Sequence, residues 1–566
     1  TSDMTHIVMM NAAIENVRPN LKLYAKNSGD IEISDLMLRT LKEFKSNKIN
    51  DSTLDTIQKL SDKDILKQKI SEIKLIINSY KSITENKFSD SLDNLDILEK
   101  IIKTHNVFEG YSIFFDEFSD FTPQQLSILE IILTQAQDVY MAFCCNENTP
   151  QNNEQDLFYC VTQTIKKIKK LAEKHSVIID SPLTLSKTSR FRNLELEMLE
   201  KNIFAPEKIS LDHIPKNIQI YNALNQNEEC EYIARTIRKL VIENNYSYKD
   251  FAVLTRDAES YQGTFRSTFK KHGIPYFMDT AEKIFNKNLM NLIFSAFDAV
   301  SSFYEPSDII NYLKSGLTDF SIEDTATIEN YILLWDIKGK DWASNFTMHP
   351  EGFSQNFEES DILELEKLNE LRKIIIEPLE HFKKRISKTT GKEISKAVYD
   401  LLTQINVPEN LRKFCEELLK AGGKTAAEQQ ARLWDILMNT LSEMAYAFEN
   451  TKISPKKYAD ILSSVVESVN LSSIPQSIDN VVIGSANKTR LSDPKIVFLA
   501  GAVNGEFPKI PSASEIFTDL EINHISSLGI QIADNIENFL VKERFLAYVA
   551  IASASQKLFI SWPSSN

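Results

Sequence analysis

Cysteine is scarce in the sequence, and its few cysteines show no pairing pattern. None of them lies in a C-x-x-C spacing; the five are Cys144, Cys145, Cys160, Cys230 and Cys415. Structural zinc sites and disulfide frameworks depend on characteristic cysteine spacings. The pattern therefore argues against both and favours reduced thiols in a cytoplasmic protein.

Long apolar runs and net positive charge are also missing. No apolar run approaches the roughly 20 residues of a membrane-spanning helix, and the chain does not open on a secretory signal. We therefore expect no membrane association. The 64 Lys and Arg residues are outnumbered by 79 Asp and Glu, which gives a formal net charge of −15. An acidic chain does not bind nucleic acid indiscriminately, so any DNA contact must come from a local basic channel.

The phosphate-binding loop of P-loop NTPases, G-x-x-x-x-G-K-S/T, is absent from the sequence. The single Gly-Lys-Thr, at 423–425, follows a helical run instead of a strand, and Leu418 stands where the first glycine should be. In a true loop, backbone N–H groups cradle the phosphates and the lysine reaches them. We interpret Gly422 and Gly423 as a helix end and turn, with Lys424 as a surface charge.

One stretch that is present organises the rest: YSIFFDEFSDFTPQQ, residues 111–125. Its apolar run predicts a buried parallel strand, and Thr122 followed by Pro123 predicts a helix start. Asp116 and Glu117 then lie at the strand's carboxyl end, where open α/β sheets bind ligands. Such carboxylates hold Mg²⁺ in phosphoryl-transfer enzymes. The alternative is that both are solvated residues where a strand ends.

The remaining periodicity predicts an α/β protein with long helical stretches. Residues 5–105 and 285–470 have helical spacing, and 146–156 reads as a loop. Strands are predicted at 139–143, 218–221, 251–254, 273–277, 480–483, 496–500 and 558–562, and those at 139–143 and 251–254 are expected to be buried. Helices are predicted at 123–136, 230–242, 261–272 and 536–553.

This order is explained most simply by two parallel-sheet domains, each interrupted by a mostly helical insertion. The first sheet domain is predicted at 1–14 and 100–214 with its insertion at 15–99, and the second at 215–290 and 472–566 with its insertion at 291–471.

Several segments resemble the UvrD-like superfamily 1 DNA helicases, and among them the AddB group of helicase–nuclease subunits. In family order these segments are DEFSDFTPQQ at 116–125, EECEYIARTIRKL at 228–240, FAVLTRD at 251–257, KKHGIPYF at 270–277, NYILLWDIKGKDW at 330–342, IPQSIDNVVIGSANKTR at 474–490, KIVFLAGAVNGEFP at 495–508 and KERFLAYVAIASASQKLFIS at 542–561. The resemblance covers nearly the whole chain and implies two RecA-like domains of the P-loop NTPase type, with ATP between them.

The resemblance also implies roles for individual residues. Asp116 and Glu117 take the Mg²⁺-binding and water-positioning roles, and Arg256 takes that of an arginine reaching a γ-phosphate. Arg190 and Gln125 join the nucleotide-binding set. The physics suits these roles, because Mg²⁺ prefers carboxylate oxygen and phosphate prefers planar guanidinium. The alternative for Arg256 is a strand-end arginine paired with a neighbouring acid.

The DNA-binding residues implied by the resemblance are Ser485, Lys488 and Arg490. Three aromatic residues, Phe191, Tyr261 and Phe265, are candidates for stacking on bases, although aromatics at such spacing are most often core.

The sequence also departs from the family. Ser553 stands where active helicases carry an arginine finger, and serine cannot supply a cationic fork. Cys144 and Cys145 begin a stretch that replaces an expected G-D-x-x-Q. No nuclease domain with a [4Fe–4S] cluster is recognisable. We expect the chain to be a piece of a longer protein, with the phosphate-binding loop before residue 1 and the nuclease domain after residue 566.

The resemblance implies the helicase-like core of the B subunit of an AddAB-type helicase–exonuclease. That enzyme repairs double-strand breaks by homologous recombination, with the A subunit and DNA, single strands and duplex ends, as partners. The serine at position 553 is consistent with a degenerate motor, which guides the DNA and reads a hotspot sequence while the A subunit unwinds. The alternatives are an active helicase with a shifted finger, at Lys542 or Arg544, and an inactive scaffold. We expect no bound cofactor or metal in this chain, and ATP and Mg²⁺ in the whole protein.

Overall fold

A computed structural model of the chain describes residues 3–25, 31–84, 91–145, 156–185, 189–205, 209–278, 282–285, 287–353, 356–449, 451–468, 470–471, 478–510, 516–533 and 536–565. The helices are α1 (Asp3–Val17), α2 (Ile31–Ser46), α3 (Asp51–Leu60), α4 (Asp64–Thr84), α5 (Ser91–Thr104), α6 (Pro123–Gln135), α7 (Tyr159–Lys174), α8 (Leu194–Asn202), α9 (Gln226–Asn244), α10 (Ala258–Lys271), α11 (Asn288–Ser301), α12 (Pro306–Leu313), α13 (Ile322–Leu334), α14 (Glu359–Ile386), α15 (Gly391–Gln404), α16 (Val407–Lys420), α17 (Lys424–Ala447), α18 (Pro455–Ser468), α19 (Asp519–Ser527) and α20 (Ile536–Ile551). The strands are β1 (Ser112–Phe115), β2 (Asp138–Met141), β3 (Ile218–Ala223), β4 (Phe251–Thr255), β5 (Tyr276–Met278), β6 (Glu282–Lys283), β7 (Asn470–Leu471), β8 (Val481–Ser485), β9 (Ile496–Leu499) and β10 (Lys557–Pro563).

The chain divides into two compact units, which are described separately. The helical unit comprises Thr1–Leu38, Glu72–Phe88 and Glu282–Leu471, and the sheet unit comprises Arg39–Ser71, Ser89–Ala281 and Ser472–Asn566. The domain boundaries expected from the sequence stay predictions.

Helices α11 to α18 build most of the core of the helical unit. Apolar side chains recur at helical spacing along α14, where Leu368, Leu371, Ile375, Leu379 and Phe382 are all buried. This period places one stripe of the helix against its neighbours. The predicted helical character of 285–470 is confirmed. The turn predicted at Gly422 and Gly423 is confirmed too, since α16 ends just before it and α17 begins just after it.

A six-stranded parallel sheet forms the centre of the sheet unit. Its strand order is β3-β10-β9-β4-β8-β5, and every pairing is parallel. Strand β4 is buried along its whole length, as a near-continuous apolar run in a parallel sheet predicts. All six strands lie where the sequence predicted them, within a few residues, and the predicted α/β class is confirmed.

Both faces of this sheet are covered by helices. Phe251 and Val253 of β4 pack with side chains of α9 and α10, while Ala252 and Leu254 pack with those of α8 and α20. The alternation follows from the two-residue period of a strand. Strand β4 therefore points its carboxyl end, at Thr255, toward the same edge as the ends of its parallel neighbours β8 and β9.

Strands β1 and β2 form a separate two-stranded parallel sheet. The predicted strand, the helix after it and the Thr122 cap are confirmed, with Thr122 and Gln125 forming a capping box. The prediction that these strands are buried is wrong. Phe114 is 73% exposed and Tyr140 53% exposed, and their rings stack with centroids 4.7 Å apart. In the described part of the chain the sheet has two strands, which leaves this face open.

Two further predictions concern the loop at 146–156 and membrane-spanning helices. Residues 146–155 of the predicted loop lie outside the described residues. A search of the described helices finds none whose length and apolar character would let it cross a membrane.

Candidate nucleotide and nucleic-acid interface

The paired carboxylates Asp116 and Glu117 follow β1 directly, at its carboxyl end. Oδ1 of Asp116 accepts a hydrogen bond of 3.0 Å from the Glu117 backbone N–H. Glu117 has φ +60°, a left-handed conformation that is costly for a residue with a Cβ. Both residues are exposed. Their carboxylate oxygens are therefore available to a hydrated cation such as Mg²⁺, which retains several waters when few carboxylates bind it.

Arg490 lies within reach of Glu117. Its Nε is 3.9 Å from Oε2 of Glu117, and the two side chains are 81% and 68% exposed. An exposed pair at this distance contributes little to stability. The structure thus brings a residue of the predicted DNA-binding set next to the predicted Mg²⁺-binding pair.

Gln125, placed in the nucleotide-binding set, is part of the cap of α6. Its Oε1 accepts from the Thr122 backbone N–H at 2.9 Å, and its own backbone N–H donates to Oγ1 of Thr122 at 3.2 Å. These reciprocal bonds satisfy donors at the helix start. In this arrangement the Gln125 amide oxygen is engaged within the protein.

Arg256 lies just after β4 and forms a two-pronged ion pair with Glu543 of α20. Its Nε and Nη2 donate to the Glu543 carboxylate at 3.0 and 2.8 Å. The side chains are 19% and 7% exposed. Such a fork is among the stronger charged hydrogen bonds in proteins. The structure thus shows the alternative considered for Arg256, an arginine paired with an acidic residue. Arg256 could reach a phosphate only if this ion pair opened.

Glu543 also accepts a bond of 3.0 Å from the Lys509 backbone N–H. Sequence reasoning did not single out this glutamate. A signal was present, because Glu543 falls on the same helical face as the buried residues Ala547 and Ala550. A carboxylate within an apolar stripe requires a buried partner.

Ser485 and Lys488, from the predicted DNA-binding set, belong to a tight turn after β8. The Ser485 hydroxyl accepts from the backbone N–H of Ala258, the first residue of α10, at 3.2 Å. Its carbonyl accepts from Lys488 and Thr489 N–H at 3.0 and 2.9 Å. A Cβ at Gly484 would lie 1.9 Å from Oγ1 of Thr489, so the turn requires glycine there. Lys488 is exposed.

Ser553, at the position of the missing finger, follows the end of α20. Its hydroxyl donates to the Ala550 carbonyl at 2.7 Å. Arg190 reaches the same place, where Nη1 donates to the Ala552 carbonyl at 3.1 Å. The structure therefore sets an arginine beside the serine, but its guanidinium is bound to backbone.

Lys542, one of the two cations considered for a shifted finger, pairs with an acidic residue. Its Nζ is 3.0 Å from Oδ2 of Asp120, and both side chains are about one-third exposed. Asp120 also lies 3.9 Å from Lys167. Lys542 therefore contributes to a surface ion-pair cluster.

Cys144 follows β2 in the stretch where a different motif was expected. Its Sγ lies 4.0 Å from the hydroxyl of Tyr548, which also donates to Glu200. Cys144 is exposed by surface area, but the surrounding side chains partly desolvate its thiol, which raises the thiol's pKa. The pKa of Tyr548 is raised chiefly by burial and then by its bond to Glu200.

A buried carboxylate that sequence reasoning did not select, Glu229 of α9, ties together the carboxyl edge of the six-stranded sheet. It accepts three hydrogen bonds, from Tyr261 Oη at 2.7 Å, Gly501 N–H at 2.9 Å and Ser561 Oγ at 2.6 Å. The residue has no exposed surface. Several donors to one carboxylate offset the cost of burying its charge. The partners come from β10, the turn after β9 and α10, which no local sequence pattern connects.

Two of the three candidate stacking aromatics, Tyr261 and Phe265, lie in the core, so the stacking hypothesis is wrong for these two. Phe265 is fully buried and Tyr261 is 5% exposed, while Phe191 packs against the core of the sheet. Burial, and then the neighbouring Glu229, raise the pKa of Tyr261. Their helical spacing reflects packing on the sheet, as is usual for aromatics.

The described residues include no cluster of three or more His, Cys, Asp or Glu side chains arranged to hold a metal ion. Asp116 and Glu117 offer carboxylate oxygen suited to Mg²⁺. The arginines predicted to contact phosphate donate to protein acceptors instead. The residues present thus fit a hydrated metal better than they fit a nucleotide.

Two family profiles match the chain. The profile of the family described as "ADDB, N-terminal" matches residues 2–200, and that of the "UvrD-like helicase C-terminal domain" matches residues 193–565. A RecA-like fold follows from the second match.

Relatives named as the B subunit of an ATP-dependent helicase/deoxyribonuclease align with nearly the whole chain. That of Caldanaerobacter subterraneus is 30% identical over 559 residues, which cover 98% of this chain and 48% of the relative. That of Clostridium tetani is 31% identical over 516 residues, covering 89% and 45%. That of Clostridium acetobutylicum is 29% identical over 565 residues, covering 98% and 49%. The chain thus spans about half the length of the curated relatives that it matches, and it belongs to the UvrD-like helicase family, in the branch of the helicase/deoxyribonuclease B subunits.

Proposed function

We propose that the chain is the helicase-like core of the B subunit of a bacterial AddAB-type ATP-dependent helicase–exonuclease. In this proposal the enzyme processes double-strand breaks for homologous recombination in the cytoplasm. The chain guides a DNA strand and recognises a hotspot sequence, while the A subunit unwinds DNA. The names of the relatives, each of which is called a subunit, support the helicase–nuclease role and the existence of a partner.

The observation that carries the passive role is the state of the arginines. Arg256 is held by Glu543 in a largely buried fork, and Ser553 occupies the finger position. Phosphoryl transfer requires cations that are aimed at the developing charge on phosphate. An arginine already paired with a carboxylate can supply this only after that pair is broken.

ATP and Mg²⁺ are proposed as ligands of the whole protein, with the two carboxylates Asp116 and Glu117 as candidate Mg²⁺ ligands. When bound, the metal would supply charge neutralisation on phosphate oxygens. The [4Fe–4S] cluster is proposed for the nuclease domain of the whole protein.

An ATPase assay on the purified chain tests the passive role. We expect no DNA-stimulated hydrolysis of ATP in Mg²⁺ buffer and no degradation of linear duplex DNA. Wild type and Asp116→Ala should give the same background rate. A rate that exceeds background and falls in Asp116→Ala would favour the active-helicase alternative.

Binding to single-stranded DNA tests the guiding role against the scaffold alternative. We expect the logarithm of the affinity to fall linearly with the logarithm of salt concentration, because bound phosphates release counterions. Undetectable binding at low salt would favour the scaffold.

A further inference from the structure

An open cavity of about 610 Å³ lies in the helical unit. The ends of α11 and α14 and the beginning of α18 surround it. Lys383, Lys388 and Lys452 line it, and none of its lining residues is acidic. We call it the lysine pocket. The chain has a net charge of −15, so a concave site whose only charged lining residues are lysines is locally positive on an acidic protein.

The three lysines are held differently. The Nζ of Lys383 lies 4.6 Å from the ring centroid of Tyr304 and 3.7 Å from Glu380. Lys388 and Lys452 are exposed, and no acidic partner is found for either among the described residues. Basic residues in the last turn of a helix often offset the helix dipole. The helix dipole therefore accounts for Lys383, in the last turn of α14. It does not account for Lys388, which follows α14, or for Lys452, which precedes α18.

Backbone hydrogen bonds join the two segments that carry the free lysines. Ile453 N–H donates to the Thr389 carbonyl at 3.3 Å, and Gly391 N–H donates to the Thr451 carbonyl at 3.2 Å. A Cβ at Gly391 would lie 2.4 Å from Cβ of Phe448, so the segments pack closely. The relative placement of the backbone at Lys388 and Lys452 is therefore fixed before any ligand arrives, so binding has to order only the two side chains.

Neutral donors and the apolar residues Val300, Ile386, Ile453 and Pro455 complete the lining. Ser301 and Thr389 lie beside the lysines, and Ser454 caps α18, accepting from Lys457 N–H at 3.3 Å. The start of α18 thus points its partial positive charge toward the pocket. Ammonium groups, hydroxyls and a helix start without any carboxylate are the chemistry that binds phosphate.

We propose that the lysine pocket binds backbone phosphates of a DNA strand. Two more exposed lysines, Lys384 and Lys456, are adjacent in sequence to lining residues, and no acidic partner is found for them among the described residues. Cations that continue beyond a pocket suit an extended polyanion better than one compact phosphate ester. The inference depends on the proposed function only in taking DNA as the ligand.

Fluorescence anisotropy with labelled oligothymidylate tests the site, comparing wild type with Lys388→Gln/Lys452→Gln. The matched control is Lys373→Gln/Lys396→Gln, which removes the same charge from exposed positions of α14 and α15 outside the pocket. We expect the pocket variant to bind about tenfold more weakly near 0.1 M salt, and its salt slope to fall by about 1.4, corresponding to two phosphates. The control should change the DNA affinity by no more than about twofold and should leave the salt slope as in wild type. Circular dichroism and thermal melting establish that both variants fold.

The outcomes separate this inference from the proposed function. Equal losses in the two variants, or none in the pocket variant while wild type binds DNA, would overturn the pocket and leave the function standing. Failure of wild type to bind DNA would overturn both. If sodium tripolyphosphate binds the wild type but not Lys388→Gln/Lys452→Gln, while both proteins bind DNA equally well, DNA is overturned as the source of the phosphate.

Discussion

The two sheets of the sheet unit carry family motifs in contrasting states. At the edge of the six-stranded sheet, Arg256 and Glu229 are engaged by buried partners from distant parts of the chain. After the two-stranded sheet, Asp116 and Glu117 are exposed, and Phe114 is exposed on the sheet itself. The same kind of position, the carboxyl end of a parallel strand, is structural in one sheet and open in the other.

The position of a residue in a family motif therefore does not determine whether its side chain is free to bind a ligand. At the larger sheet, a substitution that removes one partner of a buried hydrogen bond lowers the free energy of unfolding strongly, because the other partner stays buried without a hydrogen bond. At the smaller sheet, water replaces any lost contact. Substitutions at the two places should therefore differ mainly in their effect on stability.

Glu229→Ala should have the largest effect. It leaves donors of Tyr261, Gly501 and Ser561 without an acceptor in a buried place, and should lower the free energy of unfolding by about 3–5 kcal/mol. Glu229→Gln, which keeps the volume and one acceptor, should cost less. Hydrogen exchange of peptides from β10, measured at increasing urea concentrations, reports the free energy of unfolding of the sheet unit separately from that of the helical unit. A loss below about 1 kcal/mol for the alanine variant would show that water reaches these donors.

Arg256→Ala should come next, with a loss of about 2–3 kcal/mol, because Glu543 would keep a buried charge with one backbone donor. Arg256→Lys keeps the charge but loses the fork, and should fall between. The double variant with Glu543→Ala should cost less than the sum of the single changes, as coupled residues do. Additive losses in a double-mutant cycle would show that the pair does not hold α20 against β4.

Asp116→Asn should have the smallest effect, within about 0.5 kcal/mol in the same unfolding experiment. Its carboxylate is exposed, and it accepts a hydrogen bond from the neighbouring Glu117 N–H, which an asparagine oxygen also accepts. A loss as large as that of Arg256→Ala would mean that the two sheets do not differ as described.

The local sequence determined much of the fold. Apolar runs located the strands of the six-stranded sheet, and helical spacing located the helical stretch 285–470 without resolving its separate helices. Thr122 and Pro123 located the start of α6, because a cap depends on residues a few positions apart. The order of motifs gave the family, and with it the positions of Asp116, Arg256 and Ser553.

Which of those residues are engaged depends on contacts between distant parts of the folded chain. The Arg256–Glu543 pair joins residues 287 positions apart, and Glu229 meets Ser561 across 332. Likewise, Thr389 and Thr451, the neighbours of the two free lysines in the pocket, come from segments on either side of α15, α16 and α17. An apolar run fixes that a strand forms but not how many strands cover it, so the exposure of Phe114 could not be predicted. Partner choice over such separations depends on how whole elements pack, and no local pattern records it.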